Sequence, residues 1–580
     1  MTRLRTTGIV TAALAGVAGL FVAFTLPPPS TALQPGIRGA PPATRTVVPG
    51  GYHVHTTRSD GTGTVDEVAL AAARAGLRFV IFTDHGDGVR RPDPPMYRAG
   101  VLCLDGVEIS TTEGHYAVIG MGQAPYPLGG EPRDVVEDVA RLGGFGIAAH
   151  PTSPKAELQW REWGVPLDGI EWLNADSEWR DETWLGLARA LVDYLFRPPE
   201  SLASVLDRPD AALVRWDALT RHRRVVGLAG LDAHARLGGQ QAADPHVGGV
   251  FLKLPSYESL FRALSLRVEV EEPWHGDAAH DGASLLDALQ AGHVYTAIDA
   301  IAGPPSFEFT ARSGSHTARE GDVLDVAGAV DLEASTNAPP GSMLVLMENG
   351  RIASEVSGPH LRYTARSTPA VFRVEVRVPP RPGGPRVPWI VSNPIYAGGP
   401  GERPAVLVPP PTHAVLSLVQ PGRFAAYHLE HDARSGATVS PTSRSDGAGL
   451  VLAYALGGGP PAGQFAALVF ETTGHAVGGS DRISFRASSD GPMRGSLQVR
   501  QPGADRDGLR WQRSFYVDAA PRDISVRFDD MRPVVPTMPT HPDLSQVDAV
   551  LIVVDTTNTR PATAGRMWLE QVRLERAAMK

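Results

Sequence analysis

Three short apolar runs in this chain end in the same way, and that repetition constrains the fold more than any other feature. Phe79-Val80-Ile81-Phe82 runs into Thr83-Asp84-His85, Phe145-Gly146-Ile147-Ala148-Ala149 into His150-Pro151, and Val225-Val226-Gly227-Leu228-Ala229-Gly230 into Leu231-Asp232-Ala233-His234. A further stretch, Tyr52-His53-Val54-His55, carries two histidines two positions apart. On an extended strand that spacing points both imidazoles to one side. Helical patterns lie between the runs. Thr64-Val65-Asp66-Glu67 is a capping box that opens a helix through Ala75, which Gly76 can end, and a second helix is expected near Asp134 to Arg141. Strands alternating with helices from Tyr52 to about Ala300 predict a parallel α/β domain, whose strand C-termini form one functional rim.

The chemistry-bearing residues fall at those strand ends or in the loops just after them. In order they are His53, His55, Asp60, His85, Glu108, His115, His150, Asp232 and His234. A mixed set of imidazoles and carboxylates suits Zn, Mn or Fe(II), whereas a structural zinc site closes with four ligands that are often thiolates. Only Cys103 is available as a thiol, and it leaves no intrachain disulfide. Nine ligands exceed what one ion takes, so a cluster of divalent ions is expected. Such a cluster lowers the pKa of a bound water towards neutrality and so creates a hydroxide nucleophile.

The motifs resemble those of the polymerase and histidinol phosphatase (PHP) family of metal-dependent phosphoesterases. They stand here as His53-x-His55 with Ser59-Asp60-Gly61, then Thr83-Asp84-His85, Gly106-Val107-Glu108, Ala149-His150-Pro151 and Asp232-x-His234, over roughly Tyr52 to Ala300. The resemblance implies an α/β distorted (β/α)7 barrel and two or three divalent metal ions. It implies one metal on His53, His55, Glu108 and Asp232, a second on Asp60, His85 and His234, and a third on Glu108, His115 and His150. It also implies hydrolysis of phosphate esters by a metal-bound hydroxide nucleophile, positioned by Asp232, His234 and Glu108. Some members have His at the Asp60 position, so metal identity stays open. Phosphate oxygens need cations, and Arg58, Lys155, Arg236 and also Arg180 lie near the ligand motifs. His246 is either a proton donor or a structural histidine. Trp160, Trp163, Trp172, Trp179 and Trp184 form a cluster in which Trp172 reads as core and the others can wall a pocket.

The rest of the chain carries and supplies this region. Arg3 and Arg5 precede the uncharged Gly8 to Leu26, with Pro27-Pro28-Pro29 and a small-x-small site at Ser30-Thr31-Ala32. Residues 1–32 therefore read as a signal peptide or an N-terminal membrane anchor, and the protein as exported. Residues 33–50 read as a linker and 51–300 as the metallohydrolase barrel. Residues 301–400 read as an Ig-like β-sandwich, with Asn349-Gly350 as a hairpin turn. Residues 408–580 are expected to form a second all-β domain, similar to galactose-binding-like jelly rolls. There Trp511, Tyr516 and Trp568 are either glycan-stacking platforms or core. With a net charge of −9 a nucleic-acid partner is disfavoured. The expected partner is a phosphorylated small molecule or an envelope polymer. Two other readings remain open at this point: an amidohydrolase-type hydrolase of C–N or C–O bonds, and a non-catalytic envelope- or glycan-binding protein.

Overall fold

The computed structural model describes residues 25–37, 45–237, 252–366, 368–399, 411–420, 423–444, 447–460, 463–472, 474–503, 508–535 and 538–578. His246 and most of the expected export segment lie outside these residues. The chain divides into two compact units, one formed by residues 1–86, 91–122 and 131–405, the other by residues 87–90, 123–130 and 406–580.

Strands dominate the first unit. Strand β1 (Thr46–Val54) is followed by helix α1 (Val65–Arg74), β2 (Phe79–Phe82), β3 (Val101–Asp105), β4 (Val107–Thr111) and β5 (Gly114–Ile119). Then come α2 (Pro132–Arg141), β6 (Phe145–Ala148), β7 (Gly169–Asn174), α3 (Ala175–Asp181), α4 (Trp184–Tyr194) and β8 (Val226–Gly230). Strands β9 (Ser265–Val270) and β10 (Val294–Ala297) complete the set used below. The capping box forms as expected: the Glu67 backbone N–H donates to Thr64 Oγ1, the Thr64 backbone N–H donates to the Glu67 carboxylate, and α1 ends before Gly76 at φ 82°.

The sheet topology departs from a regular alternation of strand and helix. Pairs β1–β2, β2–β3, β6–β7 and β7–β8 are parallel, but β4–β5 and β5–β6 are antiparallel, with no helix between β3, β4 and β5. The residues explain this: Gly106 separates β3 from β4, and a two-residue turn at Thr112-Glu113 separates β4 from β5, too short for any crossover helix. Strands β4 to β8 form one five-stranded sheet, while β1, β2 and β3 belong to a twelve-stranded sheet. Two isolated parallel bridges connect them, Val54 with Ala233 and His85 with Glu108. Both bridges lie at candidate ligands.

Two expected boundaries also shift. Strand β1 begins at Thr46, inside the stretch read as linker, and includes Pro49, whose carbonyl accepts from the Arg78 N–H. The boundary expected near residue 300 is crossed by antiparallel pairing of β10 with Ile390–Ser392, so the twelve-stranded sheet continues into the following β region. That region has its own core, including Phe309, Leu332, Leu346, Phe372 and Trp389. The hairpin turn lies where expected: Asn349 and Gly350 both have positive φ and join Met343–Glu348 to Arg351–Ser357.

The second unit contains two six-stranded sheets whose inward residues, among them Leu450, Phe470, Leu497, Trp511, Ile552 and Met567, share one core. Trp511 is thus a core residue and not a platform. Tyr516 and Trp568 are half-buried, each with an arginine over its ring, Arg522 at 5.1 Å and Arg566 at 5.2 Å.

One buried carboxyl in the first unit has a measurable consequence. Glu178 on α3 is 8% exposed and accepts from the Asp207 N–H at 3.0 Å; burial pushes its carboxyl up to about 8, with Asp207 opposing and Asp181 adding. A carboxyl raised in the folded state takes up a proton that the unfolded chain releases. Its stabilising contribution is complete below about pH 4.5 and is lost as pH rises through about 8. Glu178→Gln is therefore expected to raise the midpoint of thermal unfolding at pH 8, by an amount on the order of 2 kcal/mol in stability, and to change it little at pH 5. Equal effects at the two pH values would contradict this origin.

Candidate metal centre

The first unit gathers all nine candidate ligands into one cluster, and Glu108 is its centre. The Glu108 carboxylate is 1% exposed and touches five imidazoles. Its Oε1 lies 2.9 Å from His115 Nδ1 and 2.8 Å from His150 Nε2. Its Oε2 lies 3.3 Å from His53 Nε2, 3.2 Å from His55 Nε2 and 3.2 Å from His85 Nδ1. Asp232 Oδ1 stands 3.5 Å from His53 Nε2 and 3.3 Å from His55 Nε2. Asp60 closes the other side, with Oδ2 3.2 Å from His234 Nε2 and Oδ1 3.5 Å from His55 Nδ1.

The backbone that delivers these groups is not that of regular strands. His53 has φ 63° and sits at a register shift between Tyr52 and Val54, so β1 bulges there and ends at Val54. His55 lies beyond the strand. The two imidazoles reach the same side, both facing Glu108 Oε2, but through a bulge at His53 and not through regular alternation, and the rings meet tilted at 44° with centroids 5.2 Å apart. His150 at φ 31° and Asp232 at φ 48° also occupy the left-handed region. Three non-glycine ligands in that region mark a backbone held by its surroundings.

Those surroundings orient the rings. Glu171, fully buried in β7, accepts from His53 Nδ1 at 2.5 Å, from the His150 backbone N–H at 2.6 Å and from Asn174 Nδ2 at 2.8 Å. With Nδ1 engaged, His53 presents Nε2 inward. His150 does the same, its Nδ1 donating to the Leu158 carbonyl at 3.0 Å, and His234 Nδ1 donates to the Asp232 carbonyl at 2.9 Å. Asp84 holds the loop after β1 by accepting from the Thr56 N–H and hydroxyl and from the Ser59 hydroxyl, at 2.7, 2.8 and 2.7 Å. Gly61 in that loop has no room for a side chain, since an added Cβ would overlap the His55 carbonyl.

Neither Glu171 nor Asp84 stands out as a functional residue in the sequence. The available signal for Glu171 is a carboxylate inside the otherwise apolar Gly169-Ile170-Glu171-Trp172-Leu173; in the structure it faces Gly230, whose missing Cβ gives it space.

Four atoms inside the ring, His53 Nε2, His55 Nε2, His85 Nδ1 and Glu108 Oε2, are buried without a hydrogen-bond partner. Orphaned polar atoms at such depth are costly unless something joins them, and here they converge on one another. A cation satisfies all of them, so the donor set fits divalent metal. Four overlapping groups bring ligand atoms within 4.8 Å of one another: His55, Asp60, His85, His234; His53, His55, Glu108; His53, His150, Asp232; and His85, Glu108, His115. His53, His55 and His85, like Glu108, each belong to two groups, a finer sharing than the resemblance implies.

The charges agree with a ligand role. Burial raises the Glu108 carboxyl, but His85, His53 and His115 outweigh it and hold it well below the usual range; Asp232, likewise opposed by burial, is held down by His53, His55 and His234. Burial lowers His85 to about 4 against the pull of Glu108, which leaves its imidazole neutral. His55 is raised to about 10 despite burial, by Asp232 and Glu108, so metal uptake there displaces a proton.

The candidate substrate contacts are distributed unevenly. Arg58 is engaged by Asp93 and, at 3.2 Å, by Asp105. Arg180 pairs with Asp176 and feels the charge of Asp232, as does Lys155. Arg236 lines a cavity with Trp179, Leu206, Leu260, Asp232 and His234. Trp160 and Trp172 are core; Trp163 packs against the core under Arg215, and Trp184 is 79% exposed.

No family model matches the chain. It is 32% identical over 138 residues to an uncharacterized protein, MJ1587, of Methanocaldococcus jannaschii, across 21% of this chain and 80% of that protein. The chain therefore belongs to one family with that protein, whose name assigns no activity. Among solved structures, a two-domain protein from Bacteroides vulgatus, described as containing a predicted PHP-like metal-dependent phosphoesterase, is 14% identical, with 63% of this chain and 97% of that one covered at a TM-score of 0.29. A family 11 carbohydrate-binding module of a Clostridium thermocellum cellulosomal cellulase is 16% identical over 28% of this chain and 95% of that one, at a TM-score of 0.24. Likenesses at TM-scores this low support neither a fold nor an activity for this chain.

Proposed function

We propose that this protein is an exported, metal-dependent phosphoesterase, with the two bridged sheets of its first unit acting as a distorted α/β barrel around the Glu108 cluster. The observation that carries this reading is the gathering of nine ligands around a buried carboxylate that five imidazoles contact, with four inward-facing atoms left unpartnered. Divalent ions bound there supply Lewis acidity to phosphoryl oxygens and make a water nucleophilic at neutral pH.

The chain's own residues do the rest. Glu108 would hold ions through both of its oxygens, since these face different imidazoles. Asp232 and His234 hold the nucleophile's side of the cluster, with His234 Nδ1 tied to the Asp232 carbonyl so that Nε2 faces Asp60. Lys155, Arg180 and Arg236 offer positive charge to phosphate oxygens that no ion takes. Arg58, which pairs with Asp93 and Asp105 as Arg180 does with Asp176, stands with them as a candidate phosphate contact. Export is supported by the basic residues and apolar stretch of residues 1–32, which act as a signal peptide or as a retained anchor.

The reading is tested with a panel of phosphomonoesters, phosphodiesters, carboxylic esters and amides, before and after chelation and with His150→Ala alongside. Phosphoester turnover that chelation abolishes and His150→Ala lowers by about 10²-fold or more is expected. Turnover confined to amides or carboxylic esters would move the protein to the amidohydrolase class.

A further inference from the structure

Helix α4 turns an apolar face outward. Trp184 is 79% exposed, Leu185 60%, Leu191 43%, Leu195 75% and Phe196 59%, where Leu195 and Phe196 continue the line past the helix end. At about 100° per residue these positions, with the exposed Ala188 and Val192, fall within an arc of about 140°. No charged side chain lies in that arc. Arg189 lies just beyond its edge, about 20° from Phe196, and Asp193 farther round, and the two contact each other at 3.8 Å. A stripe of large apolar side chains in water marks a surface that something covers.

What covers it is indicated by the segment tied to the same element. The Thr25 hydroxyl donates to Asp193 Oδ1 at 3.1 Å, Arg197 Nη1 donates to the Pro27 carbonyl at 2.5 Å, and the Ser30 N–H donates to Glu200 Oε1 at 3.1 Å. Residues 25–30 therefore lie against the last turn of α4 at Asp193 and pass on to Arg197 and to Glu200 in the short helix Pro198–Ala203. Immediately before them stands the uncharged, apolar stretch that begins at Gly8, of about the length a bilayer span requires. A chain held in a membrane by that stretch is brought to the lipid surface at α4. With eleven residues, α4 is too short to cross, and among the described residues no helix is long and apolar enough to do so. It is suited to lying in the plane of the interface, with Trp184 and Phe196 at its two ends.

We propose that the exposed face of α4 rests in the interfacial layer of a lipid bilayer, beside the point at which the apolar N-terminal stretch joins the folded unit. This does not depend on the metal centre. The partner is the lipid surface itself, recognised by apolar area and not by a headgroup.

The test places a nitroxide at Leu195→Cys in the full chain, with the buried Cys103 replaced by Ala, and compares it with a label at Arg362→Cys, a side chain 82% exposed. The protein is reconstituted into vesicles of phosphatidylethanolamine and phosphatidylglycerol, and collision with oxygen is measured against collision with a water-soluble nickel chelate. The expected result is a ratio of oxygen to nickel collisions severalfold higher at residue 195 than at residue 362. Equal ratios would overturn the proposal, because the face would then be in water. A label at residue 195 shielded from both reagents would also overturn it, because protein, either the N-terminal stretch or a second copy, would be covering the face.

Discussion

Glu108→Gln is expected to empty the cluster. The substitution keeps size and shape, so the fold should survive, but it removes the charge that five imidazoles face and replaces one accepting oxygen by an amide that donates. His115 and His150 share Oε1, and His53, His55 and His85 share Oε2. Whichever way the amide points, one of these sets meets an NH₂ group where a ligand oxygen stood. Because Glu108 takes part in two of the four ligand groups, more than one ion should be lost. Metal content is expected to fall below one ion per chain and phosphoester turnover by about 10³-fold or more, beyond the 10–100-fold typical of an outer partner. Unchanged metal content in a folded Glu108→Gln protein would remove Glu108 from the centre.

The second large effect is expected at Glu171, which touches no ion in the proposed arrangement and acts through His53 and His150. Its Oε1 takes the His53 Nδ1 proton, and its Oε2 takes the His150 backbone N–H and the Asn174 amide. In Glu171→Gln only one oxygen remains. Either His53 loses the acceptor that fixes its tautomer, or His150 loses the bond that holds its φ 31° backbone. Metal affinity is expected to fall about 10- to 100-fold, measured by direct titration of metal into metal-free protein, while the fully loaded enzyme keeps most of its turnover. A merely structural Glu171 would lower thermal stability and leave the titration unchanged.

These two residues show where the sequence is legible and where it is not. Glu108 follows Gly106-Val107 in a recognisable order with the histidines; His85, His150 and His234 follow visible apolar runs, and His115 opens one. The ligands can be collected because strand ends are where side chains leave the core. Glu171 lies inside a strand, where a single acidic residue among apolar neighbours reads as a sheet position; only the burial of its carboxylate against His53 and beside Gly230 reveals its task. The His53 bulge is illegible for a related reason. Alternation describes a regular strand, and the left-handed φ comes from the contacts of β1 with β2 and with the Ala233 bridge. The helices α1 and α2 are legible from caps and periodicity. The antiparallel pairing of β4, β5 and β6 and the sheet that continues past β10 depend on long-range partners that no local pattern encodes.

The central claim is that the Glu108 cluster holds divalent metal for phosphoester hydrolysis. Elemental analysis of the purified full chain, made after incubation with Zn, Mn or Fe(II) and removal of the excess, tests it most directly. The account predicts two or three tightly held ions per chain, with release of protons on uptake. Fewer than one ion per folded chain with every metal offered would contradict it.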